Sequence, residues 1–138
     1  MSERSLAIIK PNGVAQNVIG DILKTFEDNN IKIVGLKMLR MSEEMAEEFY
    51  AVHKGKFFYE TLVKFMASGY IVAVVLEGED IIKRTRELMG VTNPAEAKEG
   101  TIRRKYGKTV QQNAIHGSDS VESAMNEITF FFAKDELL

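Results

Sequence analysis

Tyr70-Ile-Val-Ala-Val-Val-Leu76 is the stretch that most restricts how this chain can fold. After its first residue every position is aliphatic, so a strand built from it has no polar face to give to water. Such a strand belongs at the centre of a sheet. The run is too short to span a bilayer, which takes about 20 apolar residues in a helix. Leu6 to Ile9 reads as a second short buried strand, ended by Pro11. Ile31 to Arg40 reads as another, with Val34, Leu36 and Met38 on one face. A fourth, very short, delivers His116.

Helices are expected between these strands. Val18, Ile19, Ile22, Leu23 and Phe26 recur at helical spacing, and Asp28-Asn29-Asn30 stops them. Ser42 is placed to cap a helix with Glu43 and Glu44 in its first turn and Met45, Phe49 and Val52 on one side. Phe58 to Ser68 reads as helix up to Gly69. Ile81, Ile82, Leu88 and Met89 mark the next, and Val121, Ala124, Met125 and Ile128 the last. Residues 91–113 are polar and irregular, with one helical turn expected at Thr101 to Tyr106. Ile128-Thr-Phe-Phe-Phe-Ala reads either as a strand or as an apolar tail. The order implies a small sheet covered by helices.

The chain has 138 residues, which fits one domain spanning 1–138. Hydrophobic residues are 45% and charged ones 28%, enough apolar material for a core without a membrane signature. The formal net charge of −2 disfavours a general nucleic-acid binder, and the lack of cysteine removes disulfides and thiolate metal sites. Met1-Ser-Glu-Arg-Ser5 has neither the basic start nor the apolar core of a signal peptide, so a cytoplasmic protein is expected.

Chemistry concentrates in Asn113-Ala-Ile-His116-Gly-Ser118-Asp119-Ser120. Gly117 removes bulk beside the imidazole, and Asp119 with Glu122 reads as a capping box opening the last helix. A helix start suits an anion, so a nucleophile stands next to a place for phosphate. Taken alone, His116 reads first as a surface or hydrogen-bonded histidine rather than a catalyst. Neither a P-loop nor a G-x-G-x-x-G fingerprint occurs, so any phosphate must be held by side chains. Lys10, Arg86 and Arg103 are the cationic candidates and Thr92 a neutral donor; each cation alone reads as a solvated charge. His53 reads as a surface histidine without a partner.

Four motifs in order, Lys10-Pro-Asn-Gly13, Gly90-Val-Thr92-Asn-Pro94-Ala, Gly100-Thr-Ile-Arg103 and the His116 stretch followed by Glu127, resemble those of nucleoside diphosphate kinases. The resemblance runs from about Arg4 to the C-terminus. It implies a ferredoxin-like α/β sandwich with a four-stranded antiparallel sheet. It implies a ping-pong transfer of the γ-phosphoryl group through Nδ1 of His116, with Ser118 and Glu127 orienting the ring. Lys10, Arg86, Thr92 and Arg103 would contact phosphates, Asn113 the sugar 3′-hydroxyl, and the Tyr50 hydroxyl would lie near the transferring group. Phe58 would stack on the base, giving broad base specificity. Mg²⁺ would be carried mainly by the nucleotide, with no protein metal site. The loop around Pro94 would join subunits, and the chain's end at Leu138 leans toward a homotetramer over a homohexamer.

The chain departs from that family pattern at several places. Asn12 stands for the usual Asp, Gly55-Lys56 for Arg-Pro before the paired phenylalanines, and Tyr70 for Pro. Arg104 and Lys105 stand where a small residue and Asp are common. That last pair is expected to steer nucleotides at the pocket mouth, to contact a neighbouring subunit, or simply to face solvent. Two other functions compete with the kinase reading. One is a phosphohistidine carrier, which needs no nucleotide cradle. The other is a nucleic-acid-binding or assembly protein, which the acidic balance disfavours.

Overall fold

The computed structural model describes residues 2–138; Met1, the first residue of the expected domain span, lies outside them. Four strands, β1 (Glu3–Ile9), β2 (Lys32–Arg40), β3 (Tyr70–Gly78) and β4 (Ile115–Gly117), form one antiparallel sheet in the order β2-β3-β1-β4. The sheet and its covering helices make a ferredoxin-like α+β sandwich. β3 is interior, as its unbroken apolar run requires, pairing with β1 from Ile9↔Val72 to Glu3↔Gly78 and with β2 on its other side.

Side chains of β1 and β3 alternate across the sheet, and each face has its own core. Leu6, Ile8, Ile71, Ala73 and Val75 pack with α3 (Glu43–Phe49), α4 (Tyr59–Met66) and α7 (Val121–Phe131). Ala7, Ile9, Val72, Val74 and Leu76 face α2 (Ile19–Asp28), α5 (Ile81–Met89) and α6 (Ile102–Tyr106). Both faces of β3 are therefore dry, and its residues Ile71 to Leu76 are buried without exception.

Local chemistry accounts for several element ends. Pro11 ends β1 and also opens a short helix, α1 (Pro11–Ala15), where its missing N–H costs nothing. Ser42 caps α3 through a bond from the Met45 N–H at 3.1 Å. α4 begins after Phe58 rather than at it. Thr101 caps α6 by accepting from Arg104 N.

Several expectations need correction. A bulge between Ile33 and Gly35 shifts the phase of β2. Val34 is buried in the first core, while Leu36 and Met38 lie opposite Val74 and Val72 on the other face, where they are more than half exposed. Val52 is not on the buried side of α3, because that helix ends at Phe49 and Val52 falls in a following 3-10 turn, 82% exposed. Ser120, not Asp119, caps α7, accepting from Ser123 N at 3.0 Å. α7 runs on to Phe131, so Glu127 sits inside it and Ile128 to Phe131 are helical. Met125 is on its solvent side.

Candidate active site

His116 lies in the middle of edge strand β4, paired with Ile8 of β1. The chain enters this strand through Ala114, held at φ 76°, a left-handed conformation that costs about 1–3 kcal/mol in a residue with a Cβ. The Ala114 carbonyl accepts the Lys10 N–H at 2.8 Å, which brings the end of β1 to the start of β4. Gly13 makes room for this approach, since a Cβ there would meet Ile9 and the Ala114 oxygen at 2.9 and 3.0 Å.

The imidazole is held from one side. Nε2 of His116 is 3.0 Å from Oε1 of Glu127, and the Ser118 hydroxyl donates to the same oxygen at 2.7 Å. Ser118 is fully buried and is fixed in turn by the Leu6 N–H, which donates to its Oγ at 3.2 Å. A carboxylate accepts, so Nε2 is the ring nitrogen that donates to Glu127, and in the neutral ring the lone pair then lies on Nδ1. The ring of Phe49 meets the imidazole edge-on at 5.7 Å and also packs on Phe130 and Phe131 of α7. Ring plane and tautomer are thereby both set.

One cavity of about 1160 Å³ opens over His116. Lys10, Tyr50, Phe58, Arg86, Thr92, Arg103, Asn113, His116 and Glu127 all line it, whereas Ser118 lies beneath. At its deep end Arg103 is buried, giving NH1 to the Gly90 carbonyl at 3.0 Å and NH2 to the Ile115 carbonyl at 2.9 Å. Arg86 donates to the Gly117 carbonyl at 3.2 Å. The Lys10 ammonium is buried beside Arg103 and donates to the Gln111 carbonyl at 3.3 Å.

Among the described residues, none of these three cations is paired with a carboxylate. Burial, reinforced by Arg103, brings Lys10 down to about pKa 7. Burial and the neighbouring Arg86 bring Arg103 down to about 10. Two buried cations, Lys10 and Arg103, with the exposed Arg86 beside Arg103 and no counter-charge, form a site that an anion would relieve. Polar atoms around it are also unmatched: Arg103 Nε, the Tyr50 hydroxyl and Asn113 Oδ1 are buried without a partner. Burial and the Glu127 carboxylate push the Tyr50 phenol up, so it stays a neutral donor. Asn113 gives its amide N–H to the Thr92 carbonyl at 3.1 Å, which ties the loop before α6 to the entry of β4.

The mouth is apolar. Phe58, half-buried, has Phe57 at right angles to it, with ring centres 5.5 Å apart. Val52 and Val110 complete the rim.

A cationic well beside an oriented histidine fits a phosphotransferase, and the comparisons with known proteins agree. The family model described as nucleoside diphosphate kinase matches residues 3–137. The chain belongs to this family. It is 54% identical over 135 residues to a nucleoside diphosphate kinase of Halorhodospira halophila, with 98% of this chain and 96% of that one covered. It is 51% identical to one of Nitratiruptor, with 99% of each covered. The fold superposes on the nucleoside diphosphate kinase of Aquifex aeolicus with a TM-score of 0.97 at 45% identity, covering all of both chains. It superposes on that of Halobacterium salinarum, solved in complex with CDP, with 0.96 at 43% identity, covering all of this chain and 92% of that one.

Within this nucleoside diphosphate kinase fold, two sequence readings change. His53 has partners: Lys56 Nζ donates to its Nδ1 at 3.1 Å, and its ring stacks near Tyr50 and tilts against Phe58 on the cavity wall. Burial and then Lys56 lower its pKa, favouring the neutral ring. Its helical-turn spacing from Tyr50 is the only sequence signal for this placement. Arg104 and Lys105 do not line the cavity mouth. Arg104 donates to the Ala95 carbonyl at 2.8 Å, and Lys105 pairs with Asp21 of α2 at 3.4 Å. Tyr106 donates to that same Asp21 carboxylate. The pair braces the loop around Pro94 against α2, so steering of nucleotides by these two residues is not supported. Among the described residues, no helix is long and apolar enough to cross a membrane.

Proposed function

We propose that this phosphotransferase works by a ping-pong route through His116, on nucleotides of any base, as one domain spanning residues 1–138. The observation that carries the proposal is the Ser118–Glu127–His116 chain opening onto the unpaired cations Lys10, Arg86 and Arg103. The Nδ1 lone pair attacks the γ-phosphorus of a nucleoside triphosphate. The bond from that phosphorus to the bridging oxygen breaks, and the diphosphate leaves with the electron pair. Nδ1 then bears the phosphoryl group while Nε2 keeps its proton, and Glu127 balances the resulting imidazolium. A second diphosphate attacks the phosphorus with its terminal oxygen and restores the neutral ring.

Lys10, Arg86 and Arg103 neutralise the phosphoryl oxygens, where transition-state charge accumulates. Tyr50 and Thr92 donate hydrogen bonds to the phosphate chain. The free Oδ1 of Asn113 accepts from the sugar 3′-hydroxyl. Phe58 supplies a flat face worth about 1–3 kcal/mol to any base, which is why base identity matters little. The CDP in the Halobacterium salinarum relative supports a pyrimidine nucleotide as one ligand.

Mg²⁺ fits this site as a companion of the nucleotide. Among the described residues no three histidine or carboxylate side chains converge into a metal cage. Glu127 is engaged by His116 and Ser118, and Asp119, exposed on the cavity wall, is the carboxylate left to hold a water of the ion. Bound to the phosphates, Mg²⁺ supplies positive charge to their oxygens.

A homotetramer, with a homohexamer as the alternative, belongs to the same proposal. It is supported by the exposed apolar strip of Leu36, Met38 and Tyr70 on adjoining strands β2 and β3. A cytoplasmic setting, where nucleoside triphosphates are at hand, belongs to the same proposal.

The test is labelling. The protein incubated with γ-labelled ATP should carry an acid-labile, base-stable phosphate that discharges onto GDP or CDP. His116→Ala should fold, take no label and transfer nothing. Transfer at the wild-type rate in that variant would overturn the mechanism.

A further inference from the structure

Among the described residues Phe57 is the most exposed large apolar side chain, at 98%, and it contributes almost nothing to the core. It occupies a tight turn closed by the Tyr59 N–H donating to the Lys56 carbonyl at 3.1 Å. Phe58, the third residue of that turn, has φ −90° and ψ −4°, as in a type I turn. The second position of such a turn points outward, where a large aromatic ring leaves its hydrophobic surface in water. Yet this ring lines the same cavity as His116. It stands perpendicular to Phe58, so the two rings form a right-angled corner. Val52 and Val110, 82% and 55% exposed, flank the same opening.

We infer that Phe57 is a specificity-determining residue: a second aromatic wall that closes on the outer ring of a purine and favours purine over pyrimidine nucleotides. The inference rests on the nucleotide reading above and refines it. The polyphosphate end of the ligand is drawn to the buried Lys10 and Arg103, and Phe58 is a half-buried part of the same cavity wall, so the base projects outward onto Phe58. A purine joins its sugar through the five-membered ring. Its six-membered ring therefore reaches farther from the sugar than any ring atom of a pyrimidine. A base lying on Phe58 turns its rim toward Phe57, and edge-to-face contact between aromatic rings is favourable because the rim is positive and the face negative. A pyrimidine on Phe58 stops short of this wall. Phe58 thus holds all bases, and Phe57 adds a contact that only the larger ones reach.

The experiment compares wild type with Phe57→Ala by calorimetry, using ADP, GDP, CDP and UDP as ligands. The expected result is a Kd raised about three- to tenfold for both purine diphosphates and less than twofold for both pyrimidine ones. The chain contains no tryptophan, so Phe57→Trp creates a single fluorescent probe at the wall. Its emission should change saturably with GDP, much less with CDP, and not with inorganic pyrophosphate. Unaltered affinities in Phe57→Ala, or equal losses for purines and pyrimidines, would overturn the inference. So would a Phe57→Trp emission blind to bound GDP. Failure of the underlying reading shows separately, as a wild-type protein that takes no label from γ-labelled ATP.

Discussion

Lys10 should take up a proton when a nucleotide binds. Its ammonium is buried next to Arg103 with one long bond to a carbonyl, and its pKa falls from 10.5 to about 7. At pH 8 about nine-tenths of the free protein then holds Lys10 neutral. A polyphosphate brings several negative charges to that ammonium and raises its pKa well above 8. Binding at pH 8 should therefore absorb about 0.9 proton, against about 0.1 at pH 6, and affinity should weaken about tenfold between those two values through this group alone. At pH 8 the terminal phosphate, with its second pKa near 6, is already ionised and adds little to the count. Calorimetric titration with ADP in two buffers of different ionisation enthalpy reads the uptake directly. Lys10→Arg keeps a cation that does not titrate in this range and should abolish the uptake. Zero uptake in the wild type at pH 8, or the same uptake in Lys10→Arg, would refute the reasoning. The same group governs stability in a defined window. Burying the charged form costs about 5 kcal/mol below pH 7. Because the unfolded chain binds the proton more tightly, that penalty fades as pH rises from about 7 toward 10.5, and chemical denaturation of the free protein should show it.

Glu127→Ala should lower kcat about 10- to 100-fold, since it removes a charged hydrogen bond from the attacking ring, with little change in nucleotide Kd. Ser118→Ala, which frees the Glu127 carboxylate rather than deleting it, should cost about tenfold; stopped-flow phosphorylation separates these from binding effects. Gly90→Ala should destabilise the fold by about 1–3 kcal/mol on thermal denaturation, because φ is 88° and a Cβ would meet Thr101 Oγ1 at 2.6 Å. It should also weaken diphosphate binding, because the Gly90 carbonyl anchors Arg103.

Much of the scaffold is legible without coordinates. The aliphatic run Ile71 to Leu76 has to be buried on both faces, and the sheet order with β3 inside is the consequence. Ser42 and Glu43-Glu44 announce a helix start by their own hydrogen-bonding chemistry. The placing of Val34, Leu36 and Met38 on one face failed because a bulge is an event between two strands, and one strand's alternation contains no trace of its partner. The end of α7 was similarly ambiguous, since an unbroken apolar run reads as strand or helix until packing chooses.

For the site, the residue types and their order along the chain specify its ingredients: one histidine beside glycine, scattered cations, and an aromatic pair. What they do together depends on distances that no spacing encodes. Glu127 meets His116 only because α7 folds back against β1, the neighbour of β4, and the buried Ser118 locks that meeting in place. His53 looked isolated in sequence and is tied to Lys56 and Tyr50 because a short turn folds it onto the cavity wall. Arg104 and Lys105 have the charge for steering, but α6 points them at Ala95 and Asp21 instead. The charge state of Lys10 is the clearest case. The side chain is the same in any sequence, and only burial beside a second cation, a product of tertiary packing, removes the water that would keep it protonated at pH 8.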